Sequence, residues 1–201
     1  MTIEQEFQTQ VEISQWVDGN FKIKLPSDNK SLIAIGCFDI TIEHHAAICL
    51  LFKSGLYGSM FALLRSIYEG YVRGQFIKYC ATDLEIEMFK KDTLDITFKE
   101  LVNRIEQAID LSGSSLSTLH KTSWKKFNSF THAGFQHITR RHKNGITGAV
   151  NYPENELIQG LRISGSFSLL AAGELAVFAE DQELVNATLE KMREYSNNLI
   201  G

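Results

Sequence analysis

A chain of 201 residues with 44% hydrophobic and 22% charged side chains has the material for one globular domain with a core of its own. Its formal net charge of −4 excludes a bulk electrostatic grip on DNA, which needs a basic face. Cys37, Cys49 and Cys80 are scattered without paired spacing, which fits a reducing, cytoplasmic setting. The N-terminus is polar and acidic, unlike a signal peptide, and no unbroken apolar run reaches the ~20 residues of a membrane span, so no membrane partner is expected.

The first helix is expected over residues 2–18, where Thr2 and Gln5 have capping-box spacing and Ile3, Phe7 and Val11 share a face. Phe21–Leu25 alternates apolar and basic residues like a strand, but a lone short strand has no partner, so an extended connector to Pro26 is expected. A helix capped by Ser27 or Asp28 runs to about Lys53. After a very short turn at Ser54-Gly55 it is followed by a long central helix, Gly55–Ala81, which predicts an antiparallel hairpin. Thr82 with Glu85 and Thr97 with Glu100 open two further helices, one to about Lys91 and one ending near Leu111-Ser112-Gly113. A helical pattern covers Ser115–Ala133, with Thr122-Ser123 as a candidate break and Gly134 as its end. Residues 134–152, crowded with glycine and asparagine, read as a mobile loop. Pro153 starts a helix to about residue 180, and a polar last helix covers 181–198. Strong strand signals are absent. The expectation is an all-α, single-domain helical bundle of about seven or eight helices over 1–201, built on the long central hairpin, with the first and last helices peripheral.

The central helix carries two stripes. Arg65, Glu69 and Arg73 recur every four residues on one face. Gly58, Ala62, Ser66, Gly70 and Gly74 form a small-residue stripe, and the Gly160-Ser164-Ser168-Ala172 face of the Pro153 helix is its expected partner. The Arg-Glu-Arg stripe is either a structural ion ladder that fixes helix register or a site with an arginine to spare for a phosphate or carboxylate. Asn128 and His132 also share a helix face. An imidazole there suits acid–base work near neutral pH, or else caps the helix end. The basic run Arg140-Arg141-His142-Lys143 is either solvated or closes over an anionic ligand or RNA phosphates. Arg162 and Glu174 are further polar candidates for the same interior. His132, His137 and His142 are five apart and spread around a helix, while the adjacent His44 and His45 diverge, one packed and one exposed. No HExxH pattern accompanies them, so neither a metal nor a cofactor is expected. There is no Walker loop, GxGxxG or GxSxG motif.

Two segments, LLRSIYEGYVR and WKKFNSFTHAGFQHITRRH, resemble a bacterial all-helical family described only as a domain of unknown function. Its members carry an Arg-x-x-Tyr-Glu-x-x-x-Arg helix and an Asn-Ser-aromatic-Thr-His-Gly-like segment, and the likeness runs from about residue 30 to 181. A more distant likeness is to the HEPN superfamily, which includes ribonuclease toxins with an arginine, a polar residue and a histidine four to six residues beyond the arginine. Here Lys126 stands where the arginine would be, six residues before His132, with Asn128 between. That likeness implies a metal-independent ribonuclease, or a degenerate relative of one, in a toxin or defence context. His132 would be the general acid/base, Asn128 would position it, and Lys126 with Arg140 or Arg141 would stabilise the phosphorane. It also implies a homodimer with His132 near the two-fold axis. Two other readings stand beside it. One is a binding module for a small anionic ligand such as a nucleotide, using Arg65, Glu69, Arg73 and His132. The other is a non-enzymatic interaction or regulatory subunit. The separation of His132 from the Arg65-Glu69-Arg73 stripe discriminates one shared site from two unrelated features.

Overall fold

The structure, a computed structural model, describes residues 2–24, 26–109, 115–148 and 151–200. Among these the chain is almost wholly helical: α1 (Ile3–Asn20), α2 (Asn29–Lys53), α3 (Tyr57–Tyr79), α4 (Asp83–Lys90), α5 (Phe98–Ala108), α6 (Ser115–Thr131), the single turn α7 (Phe135–Ile138), α8 (Glu154–Phe178) and α9 (Gln182–Ile200). The all-α bundle is as expected. Thr2 and Thr82 make full capping boxes with Gln5 and Glu85, Asp28 caps α2, and Thr97 accepts from the backbone N–H of Glu100. The expected stop at Leu111-Ser112-Gly113 lies outside the described residues. Thr122-Ser123 does not break α6, because the Thr122 hydroxyl turns back onto the Thr118 and Leu119 carbonyls and stays within the helix.

α2 and α3 form the central antiparallel hairpin, with α8 laid across both, α1 and α9 against α8, and α5 and α6 against α3. One core fills the middle, from Phe38 and Ile48 of α2 through Leu64, Tyr68 and Phe76 of α3 to Ile105, Phe130 and Leu161. A second, smaller cluster joins Ile13, Val17, Leu169, Ala172 and Tyr195, so the first and last helices are packed together on one side of α8. Tyr68 is fully buried and its hydroxyl donates to the Leu116 carbonyl at 3.1 Å, tying α3 to the start of α6. The tyrosine of the RSIYE segment is therefore a packing residue.

The small stripe of α3 has a different partner from the one expected. A Cβ on Gly74 would lie 2.6 Å from the Phe38 ring, and one on Gly70 would lie 2.7 Å from Thr41 Oγ1, so α2 occupies that groove. α8 meets α3 through Gly160, which admits Met60 and Phe61, and it turns Ser164 toward His45 of α2. The short turn already holds α2 against α3, leaving no room for a third helix on that face. α2 and α8 are each 25 residues long and, by length and composition alone, apolar enough to cross a bilayer. That qualifies the expectation drawn from unbroken apolar runs; in the fold both pack within the bundle.

Residues 134–152 were expected to be a loop, but most of the segment has defined local structure. α7 leads through a 3₁₀ turn (Thr139–Arg141) into a two-stranded hairpin, β1 (His142–Lys143) and β2 (Ile146–Thr147). Asn144 and Gly145 connect the strands with φ of 52° and 80°, the two left-handed residues of a type I′ turn.

Candidate functional site

The face of α6 that carries Trp124, Asn128 and His132 meets Arg65 of α3. The Arg65 guanidinium lies 4.9 Å from the centre of the Trp124 ring. Its Nε donates to Glu69 Oε1 at 2.8 Å, and its Nη1 contacts Nε2 of His132. A guanidinium has only protons to offer, so His132 Nε2 presents its lone pair and the ring proton sits on Nδ1. Glu69, Arg65 and His132 thus form one chain, with Trp124 backing the cation. Asn128, one turn before His132 on the same face, has a buried side-chain oxygen with no hydrogen-bond partner. The Arg65 and Glu69 side chains are 22% and 26% exposed, so the pair is shielded yet reachable.

Local backbone geometry sets the position of His132. α6 ends in a Schellman-type turn in which the Gly134 N–H donates to the Ser129 carbonyl at 2.7 Å. The residue in the left-handed conformation is Ala133, with φ of 49°. Gly134 is required for a different reason: a Cβ there would lie 2.6 Å from Ser129 Oγ. The capping role open to His132 is filled by His137, whose Nδ1 donates to the Phe130 carbonyl at 2.7 Å. Its Nε2 is turned toward Gly58, close to the buried Tyr152 hydroxyl. Burial raises the Tyr152 phenol, and the nearby Arg141 opposes the rise. A cavity of about 400 Å³ opens between Gly58 and Ala62 of α3 and Thr131, Ala133, His137 and Arg141; Arg65 and His132 are not among the residues that line it. Thr131 Oγ1 donates to the Ala62 carbonyl at 3.2 Å on its floor.

The other expected site residues lie elsewhere. Lys126 points along a different face of α6, with Nζ 3.8 Å from Glu156 of α8. Arg140 grips the same carboxylate with two nitrogens at 2.8–3.2 Å. Lys126 and Arg140 therefore share one counter-ion at the mouth of a separate 300 Å³ cleft between α3, α6 and α8. Arg73 leaves the stripe: its guanidinium lies 5.9 Å from the Phe89 ring and near Cys37, whose thiol burial pushes up to about 11. Arg162 of α8 reaches Glu6 of α1, and Glu174 is bound by Gln75, Lys78 and Tyr79. Among the described residues no three His, Cys, Asp or Glu side chains converge as a metal site would need.

Sequence reading missed Trp124 as the backing of Arg65, although the i, i+4, i+8 spacing of Trp124, Asn128 and His132 carries it. It also missed a segregation of charge. Between Asp110 and Glu154 the chain holds six of its twenty lysines and arginines, four of its six histidines and none of its twenty-four acidic residues. That segment supplies the α6 wall of the site.

The bundle and its Glu69–Arg65–His132 chain define an all-helical protein with one arginine–histidine site at the α3–α6 junction. Residues 38–200 match the model of a family of unknown function, DUF6988, and the chain belongs to that family. Comparisons with curated proteins and with solved structures give no match.

Proposed function

We propose that the protein is a HEPN-like ribonuclease in which His132 and Arg65 act on the phosphodiester. The observation that carries this reading is the contact between Arg65 Nη1 and His132 Nε2, which joins the two sequence motifs in one accessible site. A phosphate entering the site competes for the Arg65 guanidinium, whose planar fork suits phosphate oxygens, and frees His132 Nε2 to act as a base. Nε2 then takes the proton of a ribose 2′-hydroxyl as that oxygen bonds to phosphorus. The bond from phosphorus to the 5′-oxygen breaks, and the imidazolium returns its proton to that oxygen. The products are a 2′,3′-cyclic phosphate and a free 5′-hydroxyl. Arg65, oriented by Glu69 and Trp124, neutralises charge on the phosphorane. In this scheme Arg65 takes over from α3 the role that the HEPN signature gives to the residue at Lys126, which is engaged with Glu156. The exposed setting of His132 leaves room for a second copy to complete the site.

The test is incubation of the purified protein with total RNA in the presence of a chelator, beside His132→Ala and Arg65→Lys. Cleavage by the wild type, with a loss of ~10²–10⁴-fold in His132→Ala, supports the reading. No cleavage by the wild type, or equal cleavage by His132→Ala, overturns it. The alternative of a small anionic ligand rests on the same arginine and predicts that a nucleotide raises the melting temperature of wild type but not of Arg65→Lys.

A further inference from the structure

The chain is acidic overall, but its basic residues are not evenly spread. Lys126 and Arg140 share the single charge of Glu156, whereas Lys121, Lys125, Arg141 and Lys143 have no carboxylate within ion-pair distance among the described residues. Lys121, Lys125, Asn128 and His132 follow the i, i+4, i+7, i+11 spacing of a single helix face, so the two free lysines lead straight to the histidine. That stripe spans about 16 Å at 1.5 Å per residue. On the other side of His132 the chain turns at Ala133 and presents Phe135, a residue 82% exposed at the start of α7. Arg141 lines a cavity with Thr131 and Ala133, the chain neighbours of His132, and Lys143 stands on the hairpin that follows. Phe135 is the most exposed of the large hydrophobic side chains among the described residues, so its ring faces are open to stacking. A linear run of cations beside one such ring matches a flexible polyanion with flat faces, which is single-stranded nucleic acid.

We propose that residues 121–143 form a track for single-stranded RNA, in which Lys121 and Lys125 hold phosphates on one side of His132, Arg141 and Lys143 hold them on the other, and Phe135 stacks a base. This rests on the nuclease reading and names its substrate class. A duplex fits less well, because its bases are already stacked and leave Phe135 nothing to pair with.

The experiment measures binding of a short, fluorescently labelled single-stranded RNA to the full chain carrying His132→Ala, which holds RNA without cutting it. On that background Phe135→Ala is expected to weaken binding ~5- to 100-fold, the usual effect of one base–aromatic stack, and Phe135→Trp to restore it. Removing Lys121, Lys125 or Lys143 singly is expected to lower the slope of log affinity against log salt by about 0.7 each. All four sites are on the surface, and unchanged melting curves establish that the variants fold. Unchanged affinity in Phe135→Ala and in the lysine variants overturns the track, as does tighter binding to a duplex of equal length or to anionic phosphatidylserine vesicles. The two proposals fail separately. Cleavage by the wild type with no effect of track variants leaves the nuclease and removes the track. Track-dependent RNA binding without cleavage leaves the track and removes the nuclease.

Discussion

Glu6 and Glu69 each hold the Nε of an arginine, at 2.6 Å from Arg162 and 2.8 Å from Arg65, and the two carboxylates have opposite surroundings. Glu6 is fully buried between α1, α8 and α9. Its other oxygen takes hydrogen bonds from Gln10 and Tyr195, and Gln10 in turn offers its backbone carbonyl to His45, which also meets Ser164. That network ties four helices together around a fully buried carboxylate, while Gln10 Oε1 is left without a partner and the Arg162 side chain stays 32% exposed. Glu69 is partly exposed, and Arg65 spends one nitrogen on it and another on a histidine at the surface. One turn before that histidine on α6, Asn128 has a buried oxygen without a hydrogen-bond partner. The same pairing thus fixes registry where the carboxylate is fully buried and, in the proposed reading, serves recognition where both partners are partly exposed.

The sharpest separation of the two regions comes from pairing activity with stability. His132→Ala is expected to remove cleavage by ~10²–10⁴-fold while shifting the melting temperature little, since the side chain is exposed. Glu6→Ala should do the reverse. It removes a fully buried carboxylate that Arg162, Gln10 and Tyr195 all donate to, and is expected to cost about 3 kcal/mol in urea unfolding, with the specific activity of the folded fraction unchanged. A Glu6→Ala variant as stable as wild type would remove the structural half of the comparison.

The Glu6 region also carries a group that makes stability depend on pH in the acid range. Burial pushes His45 down to about 4, against an ordinary value near 6.5. The unfolded chain therefore binds a proton between those values that the folded chain refuses. The contribution of a neutral His45 is complete above pH 6.5 and declines as pH falls toward 4, by about 3 kcal/mol over the window. Urea midpoints measured from pH 7 to 4 in wild type and in His45→Asn check this, and equal declines in the two proteins would contradict it. The smallest effect concerns the turn that aims His132. Ala133→Gly relieves a left-handed non-glycine residue and is expected to add about 1 kcal/mol of stability, read from thermal melts.

The open region was more legible in the sequence than the sealed one, for physical reasons. The i, i+4 spacing of Arg65 with Glu69 and of Asn128 with His132 is local, and helical periodicity alone puts each pair on a face. What the spacing does not carry is which neighbour each face meets. Arg73 follows the same periodicity and still turns to Phe89, and the small stripe of α3 serves α2 rather than α8. Glu6 looks in sequence like an ordinary first-turn acid of α1. Its partner is 156 residues away, and only tertiary packing joins them. Two signals were available and passed over. Asn144-Gly145 between short segments is a hairpin turn in its own right. The stretch without acids from Leu111 to Pro153 was hidden by a net charge summed over the whole chain.

The account stands on Arg65 and His132 working as one unit, and a double-mutant cycle on RNA cleavage in chelator tests that most directly. Arg65→Ala, His132→Ala and the double variant are compared with wild type at equal folded concentration. The account predicts that each single change removes most of the activity and that the double variant is no slower than the slower single one, the non-additivity of residues that share a step. Losses that multiply, or a wild type that leaves RNA intact, would contradict it.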